Sequence, residues 1–184
     1  MRELALNILD IAENSVKAGA SLVRVLVEAK DGRLTIEISD NGCGMDAEFV
    51  KRVTDPFTTT RTTRKVGMGI PLFKMAAEMA DGTFSIASEK GVGTTVTATF
   101  VLDHIDRAPL GDLADTVVTL IGGECRSDFV FDVRVNGKGF VFDTRELKAE
   151  LDGVPVGEPE VLVFVRDMIK ENLIDFGGEK LRKV

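Results

Sequence analysis

Two runs of residues around one tight turn constrain this chain most. SLVRVLVEAK (21–30) and RLTIEISD (33–40) both alternate apolar and polar side chains, and Asp31-Gly32 joins them. A period of two buries one side of a strand, and Asp-Gly between two such runs predicts an antiparallel hairpin. A sheet with one apolar face needs a covering layer. Residues 2–18 predict the cover: Leu4, Ile8, Ile11, Ala12 and Val16 share a helical face, and Ala18-Gly19-Ala20 supplies a glycine stop.

The same grammar repeats. DAEFVKRV (46–53) opens on an Asp N-cap and predicts a short helix. Residues 55–69, DPFTTTRTTRKVGMG, lack periodicity and predict a loop. IPLFKMAAEMA (70–80) predicts a helix with Pro71 in its first turn. TFSIASEK and TTVTATFVLD predict a second hairpin around Gly91-Val92-Gly93. The order helix, two strands, helix, loop, helix, two strands implies an α+β, two-layer sandwich: a largely antiparallel sheet with helices on one face.

Beyond Leu102 the texture changes, and a second, small α+β domain is expected over 103–184, after a first domain over 1–102. DHIDRAPLGD suits a linker; DLADTVVTLIGG predicts a helix, although VVTLI also suits a strand. DFVFDVRVNGKGFVFD predicts a hairpin at Asn136-Gly137. A short helix at TRELKAEL and a longer one over 158–174 follow, the latter ambiguous with a strand across Val161–Val165. The alternating Phe129, Phe131, Phe140 and Phe142 suit core packing, or an edge that pairs with another chain. This part is expected to pack on the first domain or on a second copy of itself, giving a homodimer, and to choose the partner.

Charge narrows the function. Hydrophobic residues make up 44% and charged residues 29%, as in a folded soluble chain. The net charge is −7, and residues after Leu102 hold 11 basic against 17 acidic side chains. That excess repels phosphate backbones, so nucleic acid is not an expected partner. No apolar run reaches the roughly 18 residues of a membrane helix, and the N-terminus lacks a signal-peptide core, so a cytoplasmic location and no membrane contact are expected. Cys43 and Cys125 form no metal-ligand spacing, and His104 reads as an incidental surface residue.

Four separated pieces can carry chemistry. Asp10, Asn14 and Lys17 share a helical stripe with Asn7. An amide oxygen suits Mg²⁺, a carboxylate one turn earlier can orient or deprotonate a water, and a lysine can reach phosphate. At the end of the second strand stands Asp40-Asn41-Gly42-Cys43-Gly44-Met45. The carboxylate of Asp40 can accept from an exocyclic amine such as adenine N6, and Gly42 and Gly44 let backbone approach a flat ring. Gly67-Met68-Gly69-Ile70 enters a helix, whose free N–H groups can bind phosphate. Thr58, Thr59, Thr60, Arg61, Arg64 and Lys65 precede it. In Gly91-Val92-Gly93-Thr94-Thr95, Thr94 can offer its hydroxyl to a base. Singly, these also suit a solvated helix face, an Asp-Asn-Gly turn, a surface loop and a hairpin turn.

Their order decides between the readings. DIAENSVKAGAS resembles the N box of mismatch-repair ATPases, and DNGCGM resembles their G1 box. Asp55-Pro56-Phe57-Thr58-Thr59 is similar to the histidine-kinase F box, GMGIPL to the G2 box and GVGTTVTATF to the G3 box. The first hundred or so residues thus resemble the superfamily of histidine kinases, DNA gyrase B, mismatch-repair ATPases and anti-sigma-factor kinases. The resemblance implies ATP and Mg²⁺ as ligands, with Asn14 on the metal and Lys17 on a phosphate. It implies that Asp40 reads adenine beside Gly44 and Thr94, that Gly67 and Gly69 shape a phosphate lid, and that Phe57 anchors it.

Two departures bear on activity. Asp10 stands where the water-activating ATPases place glutamate, four residues before the metal asparagine, and its shorter reach weighs against efficient hydrolysis. The lid, residues 58–66, is short. Because the N-box helix starts at the beginning of the chain, no dimerisation helices with a phosphoacceptor histidine are expected ahead of it. The expected activity is a protein kinase acting on a partner protein in trans, like the anti-sigma-factor serine kinases, with Asp10 orienting the acceptor hydroxyl. The alternatives are a non-catalytic ATP-dependent regulatory module, a slow ATPase, and an interaction protein with a decayed pocket.

Overall fold

The computed structural model describes residues 3–54, 68–123, 127–175 and 181. In chain order the elements are α1 (Leu4–Lys17), β1 (Leu22–Lys30), β2 (Arg33–Asp40), α2 (Ala47–Val53), α3 (Gly69–Met79), β3 (Phe84–Glu89) and β4 (Gly93–Val101). After them come α4 (Leu113–Gly122), β5 (Asp128–Val135), β6 (Lys138–Asp143), α5 (Thr144–Glu150) and α6 (Pro159–Asp175).

The strands form one six-stranded sheet in the order β3-β4-β2-β1-β5-β6. Every neighbouring pair is antiparallel except β1 with β5, which run parallel from Leu22↔Asp128 to Ala29↔Val135. One face is apolar and buried: Val23, Val25 and Val27 on β1, Leu34, Ile36 and Ile38 on β2, Val96, Ala98 and Phe100 on β4, and Phe129, Phe131 and Val133 on β5. The other face carries Arg24, Glu28, Thr35, Glu37, Thr97 and Thr99, all exposed or half-buried. The alternation that predicts a one-faced sheet therefore describes it.

Helices cover the apolar face. α1 packs against α3 on one side and α4 on the other, and α4 packs against α6. Leu4, Ile8, Ile11 and Ala12 of α1 and Phe73 and Ala77 of α3 join the same core as the strands. The Phe73 ring lies 5.9 Å from that of Phe100, and Phe129 stacks 6.1 Å from Phe131. Burying each such ring stabilises the fold by about 2–3 kcal/mol.

Both ambiguous segments are helical. α4 buries Leu113, Ala114, Val117, Val118, Leu120 and Ile121, because it lies between α1 and α6. A helix walled on several sides is apolar nearly all round, which blurs its period. Asp112 caps it, accepting from the Asp115 N–H at 2.9 Å.

The sheet and core run across the boundary expected near residue 102, since β5 and β6 extend the sheet from β1. The stretch after β4 is pinned. Arg107 is buried, donating to the carbonyls of Leu102 (2.6 Å) and Ala108 (3.0 Å). Burial pulls its pKa down, opposed by the charge of Asp103. His104 Nε2 lies 3.2 Å from Asp81, beyond the end of α3. The carbonyls of Pro109 and Leu110 accept from the Leu4 and Ala5 N–H groups at 2.9 and 2.7 Å. That supplies the α1 cap, because Glu3 makes no side-chain capping bond.

Candidate nucleotide-binding site

The site grows from the ends of two neighbouring strands. β2 ends on Asp40, and the β2–β4 register places it directly opposite Thr94, near the start of β4. Asp40 Oδ1 accepts from the Gly42 N–H at 2.8 Å, and Oδ2 accepts from the Ser15 hydroxyl at 2.6 Å. The Thr94 hydroxyl lies 2.8 Å from that of Ser88, which donates to the Gly93 carbonyl at 3.0 Å and accepts from the Met45 N–H at 2.8 Å.

The loop after β2 is held from both sides. Asn41 Oδ1 accepts from the N–H groups of Ser21 and Leu22 at 2.9 Å. Cys43 donates its N–H to the Ala18 carbonyl, at the end of α1, and accepts from the Gly91 N–H in the β3–β4 turn. Two glycines make this closeness possible. Gly44 has φ +63°, and a Cβ on it would overlap the Glu89 carbonyl; Gly93 has φ +143°, and a Cβ there would overlap the Asp40 carbonyl.

Between α1, the strand ends, α2 and the start of α3 lies a cavity of about 380 Å³. Ile11, Ile38 and Val96 line it beside Met45, Phe49, Val53 and Ile70, a set suited to a flat apolar ring. Its polar groups include Asn14, Lys17, Asp40 and Thr94. Helix α1 turns Asn14 toward it, because positions 7, 10 and 14 share the side of the helix next to the core-facing residues Leu4, Ile8 and Ile11.

Of the residues singled out from sequence, Asn14, Lys17, Asp40, Gly44, Met45, Ile70 and Thr94 meet at this cavity. Four others stand outside its lining. Gly42 acts through its N–H on Asp40. Gly69 begins α3, with the Asp10 carboxylate directly against it. Met68, before α3, is 67% exposed. Phe57, Thr59 and Gly67, with the lid expected over 58–66, lie outside the described residues. Lys17 is largely exposed and pairs with Glu13 at 3.2 Å.

Sequence reasoning missed Ser15, Cys43, Asp46 and Lys90, which also line the cavity. Ser15 sits on the same helical turn as Asn14, so the helical wheel could have raised it, but only the fold reveals Asp40 as its partner. Lys90 belongs to the β3–β4 turn, where a lysine gives no signal of its own.

A one-faced mixed sheet under helices here brings an amide, a carboxylate and glycine-supported turns around one cavity. The description "Histidine kinase-, DNA gyrase B-, and HSP90-like ATPase" matches residues 1–104, more than half the chain, and the protein belongs to that family. Among its relatives, the signal transduction histidine-protein kinase AtoS of Escherichia coli (strain K12) is 32% identical over 97 residues, 53% of this chain and 16% of AtoS. The autoinducer 2 sensor kinase/phosphatase LuxQ of Vibrio parahaemolyticus is 35% identical over 89 residues, 45% of this chain and 10% of LuxQ. The chain thus spans less than a fifth of the length of these curated relatives. A solved N-terminal domain of a DNA repair protein shares the fold, with a TM-score of 0.51 at 14% identity, over 78% of this chain and 52% of the other. Family membership makes residues 1–104 an ATP-binding fold.

Proposed function

We propose that the cavity binds Mg·ATP and that the chain is a kinase-type ATP-binding protein which phosphorylates a partner protein. The observation that carries this reading is that Asn14 and Asp40, 26 positions apart in the chain, face one cavity with an apolar lining. The residues fit the ligand. A hard amide oxygen with few other protein ligands suits Mg²⁺, which keeps waters and shares phosphate oxygens. Among the described residues no cluster of three or more His, Cys, Asp or Glu offers a competing metal site. When bound, the ion neutralises the triphosphate and polarises its terminal phosphoryl group.

The chain's own residues divide the work. Asp40 accepts from the exocyclic amine of adenine, with Thr94 beside it, and the apolar lining excludes water from the ring. Asn14 holds the metal, and Lys17 exchanges Glu13 for a phosphate oxygen. Asp10 orients the incoming hydroxyl. Phosphoryl transfer depends mainly on positioning and charge, which is what these residues would supply. No helix among the described residues is long and apolar enough to cross a membrane. The proposed setting is the cytoplasm.

Thermal denaturation with ATP, ADP and GTP, with and without Mg²⁺, tests the binding. A rise of several degrees for Mg·ATP and little for GTP is expected, and no shift with any nucleotide defeats the reading. Incubation with γ-labelled ATP and cell extract tests transfer, the expected result being a labelled protein other than this chain.

A second reading draws on the position of Asp10 against Gly69, outside the cavity lining. There the protein binds ATP and presents a surface to a partner without turnover. Tight ATP binding with no phosphate release and no labelled acceptor selects it. Steady phosphate release abolished by Asp10→Asn selects a slow ATPase instead.

A further inference from the structure

Ser15 is 4% exposed, in the last turn of the helix that carries Asn14. A serine inside a helix ordinarily returns its hydroxyl to the carbonyl four residues back. Here that carbonyl, of Ile11, is 3.3 Å away, whereas Asp40 Oδ2 is 2.6 Å away on a different element. A hydroxyl has one proton to give, and a separation of 2.6 Å is that of a charge-assisted bond to a carboxylate. The proton therefore lies toward Asp40.

The Asp40 carboxylate is then held at both ends, by Ser15 on Oδ2 and by the Gly42 N–H on Oδ1. Two fixed donors on separate elements prevent the group from turning about its terminal torsion. Each oxygen retains lone-pair capacity, and both Asp40 and Ser15 line the cavity. A base with an amino group at C6 meets an acceptor already aimed. A base with a carbonyl at C6 meets lone pairs that cannot swing away.

We propose that Ser15 is a positioning residue for base recognition: its hydroxyl locks the plane of the Asp40 carboxylate and so sets the preference of the site for 6-aminopurine over 6-oxopurine nucleotides. This rests on the reading of the cavity as a nucleotide site with Asp40 on the exocyclic amine. Its own content is the coupling between residues 15 and 40.

Calorimetric titration of the full chain with Mg·ATP and with Mg·ITP, which differ at C6, tests it. Ser15→Ala is expected to weaken ATP about five- to tenfold, as for a lost bond to a charged group. ITP should stay within about twofold, so the ATP:ITP ratio falls by nearly the full amount. Ser15→Thr keeps the hydroxyl and should keep the ratio. In an Asp40→Ala background, which removes the acceptor altogether, Ser15→Ala should change ATP affinity by less than about twofold. The melting temperature of each nucleotide-free variant separates binding effects from folding.

Equal loss of ATP and ITP on Ser15→Ala, with a lowered melting temperature, assigns Ser15 to packing alone and overturns the proposal. So does an additive effect in the Asp40→Ala background. If the wild-type chain binds ATP and Asp40→Ala weakens it while Ser15→Ala leaves the ratio unchanged, only the role of Ser15 fails. Absence of ATP binding by the wild-type chain removes the nucleotide reading and this inference together.

Discussion

The carboxylate of Asp10 on α1 stands so close to Gly69, the first residue of α3, that a side-chain carbon at position 69 would overlap Asp10 Oδ2. A carboxylate there meets the positive end of the α3 dipole. The contact also ties the polar stripe of α1 to the helix that follows the glycine-rich motif. Because the obstacle is the end of a side chain, Gly69→Ala should move Asp10 rather than unfold the protein. A loss of about 1 kcal/mol in urea denaturation is expected. Adding Asp10→Ala to Gly69→Ala should recover most of it, and purely additive losses would show that the two residues do not share this space.

Asn14 makes its own prediction through the metal. If its amide oxygen holds Mg²⁺, the ion should strengthen ATP binding to the wild-type chain, and Asn14→Ala should erase that enhancement while metal-free binding changes little. An Asn14→Ala variant that retains the full Mg²⁺ effect places the metal elsewhere.

The β3–β4 turn separates backbone strain from crowding. Gly91 and Gly93 both have positive φ, +83° and +143°, but a Cβ on Gly91 would meet nothing within 4 Å, whereas one on Gly93 would overlap the Asp40 carbonyl. Gly91→Ala should cost about 1 kcal/mol for conformation alone. Gly93→Ala should cost at least about 3 kcal/mol, since the obstacle is backbone and cannot rotate away. Similar losses at the two positions in guanidinium titration would contradict this packing.

Acid stability should depend on Asp143. Its Oδ1 accepts from the Arg145 N–H at 2.9 Å, capping α5, and the carboxylate pairs with the Arg145 guanidinium. The side-chain bond to Arg145 holds the Asp143 carboxyl below its ordinary range. A lowered folded pKa means stability that is fully present above the unfolded value of about 3.9 and lost as pH falls through the lower folded value. Asp143→Asn keeps a capping side chain but no charge. It should be less stable than wild type near neutrality by up to about 1 kcal/mol, since Arg145 is half exposed. The gap should close as the pH drops below the folded pKa; a gap that stays constant across that range refutes the linkage.

The C-terminal segment should be needed for folding. Ending the chain after Asp103 removes β5 from the edge of β1 and α4 from the side of α1. It also strips the Leu4 and Ala5 N–H groups of the Pro109 and Leu110 carbonyls. Val23, Val25 and Val27 share their core with Phe129, Phe131 and Val133, so the shortened chain should aggregate or lose its cooperative transition. A soluble fragment with a sharp two-state transition would make residues 1–103 an independent unit.

Much of the fold is local and legible in sequence. Alternation around Asp31-Gly32 and Asn136-Gly137 specifies two hairpins, because a turn and its flanking strands are decided within about twenty residues. The stripe of Asp10, Asn14 and Lys17 follows from helical geometry alone, and the resemblance of the glycine motifs to a known family points to the proposed nucleotide site. Tertiary structure decided what joins distant segments. Alternation says which side of β1 is buried but not which strand lies beside it, so the parallel partner β5, about a hundred residues away, left no mark. The bond from Ser15 to Asp40 and the place of Lys90 at the cavity are of the same kind. So is the contact of Asp10 with Gly69. A side chain's type and period set the face it occupies, while its partner is chosen only when the whole chain packs.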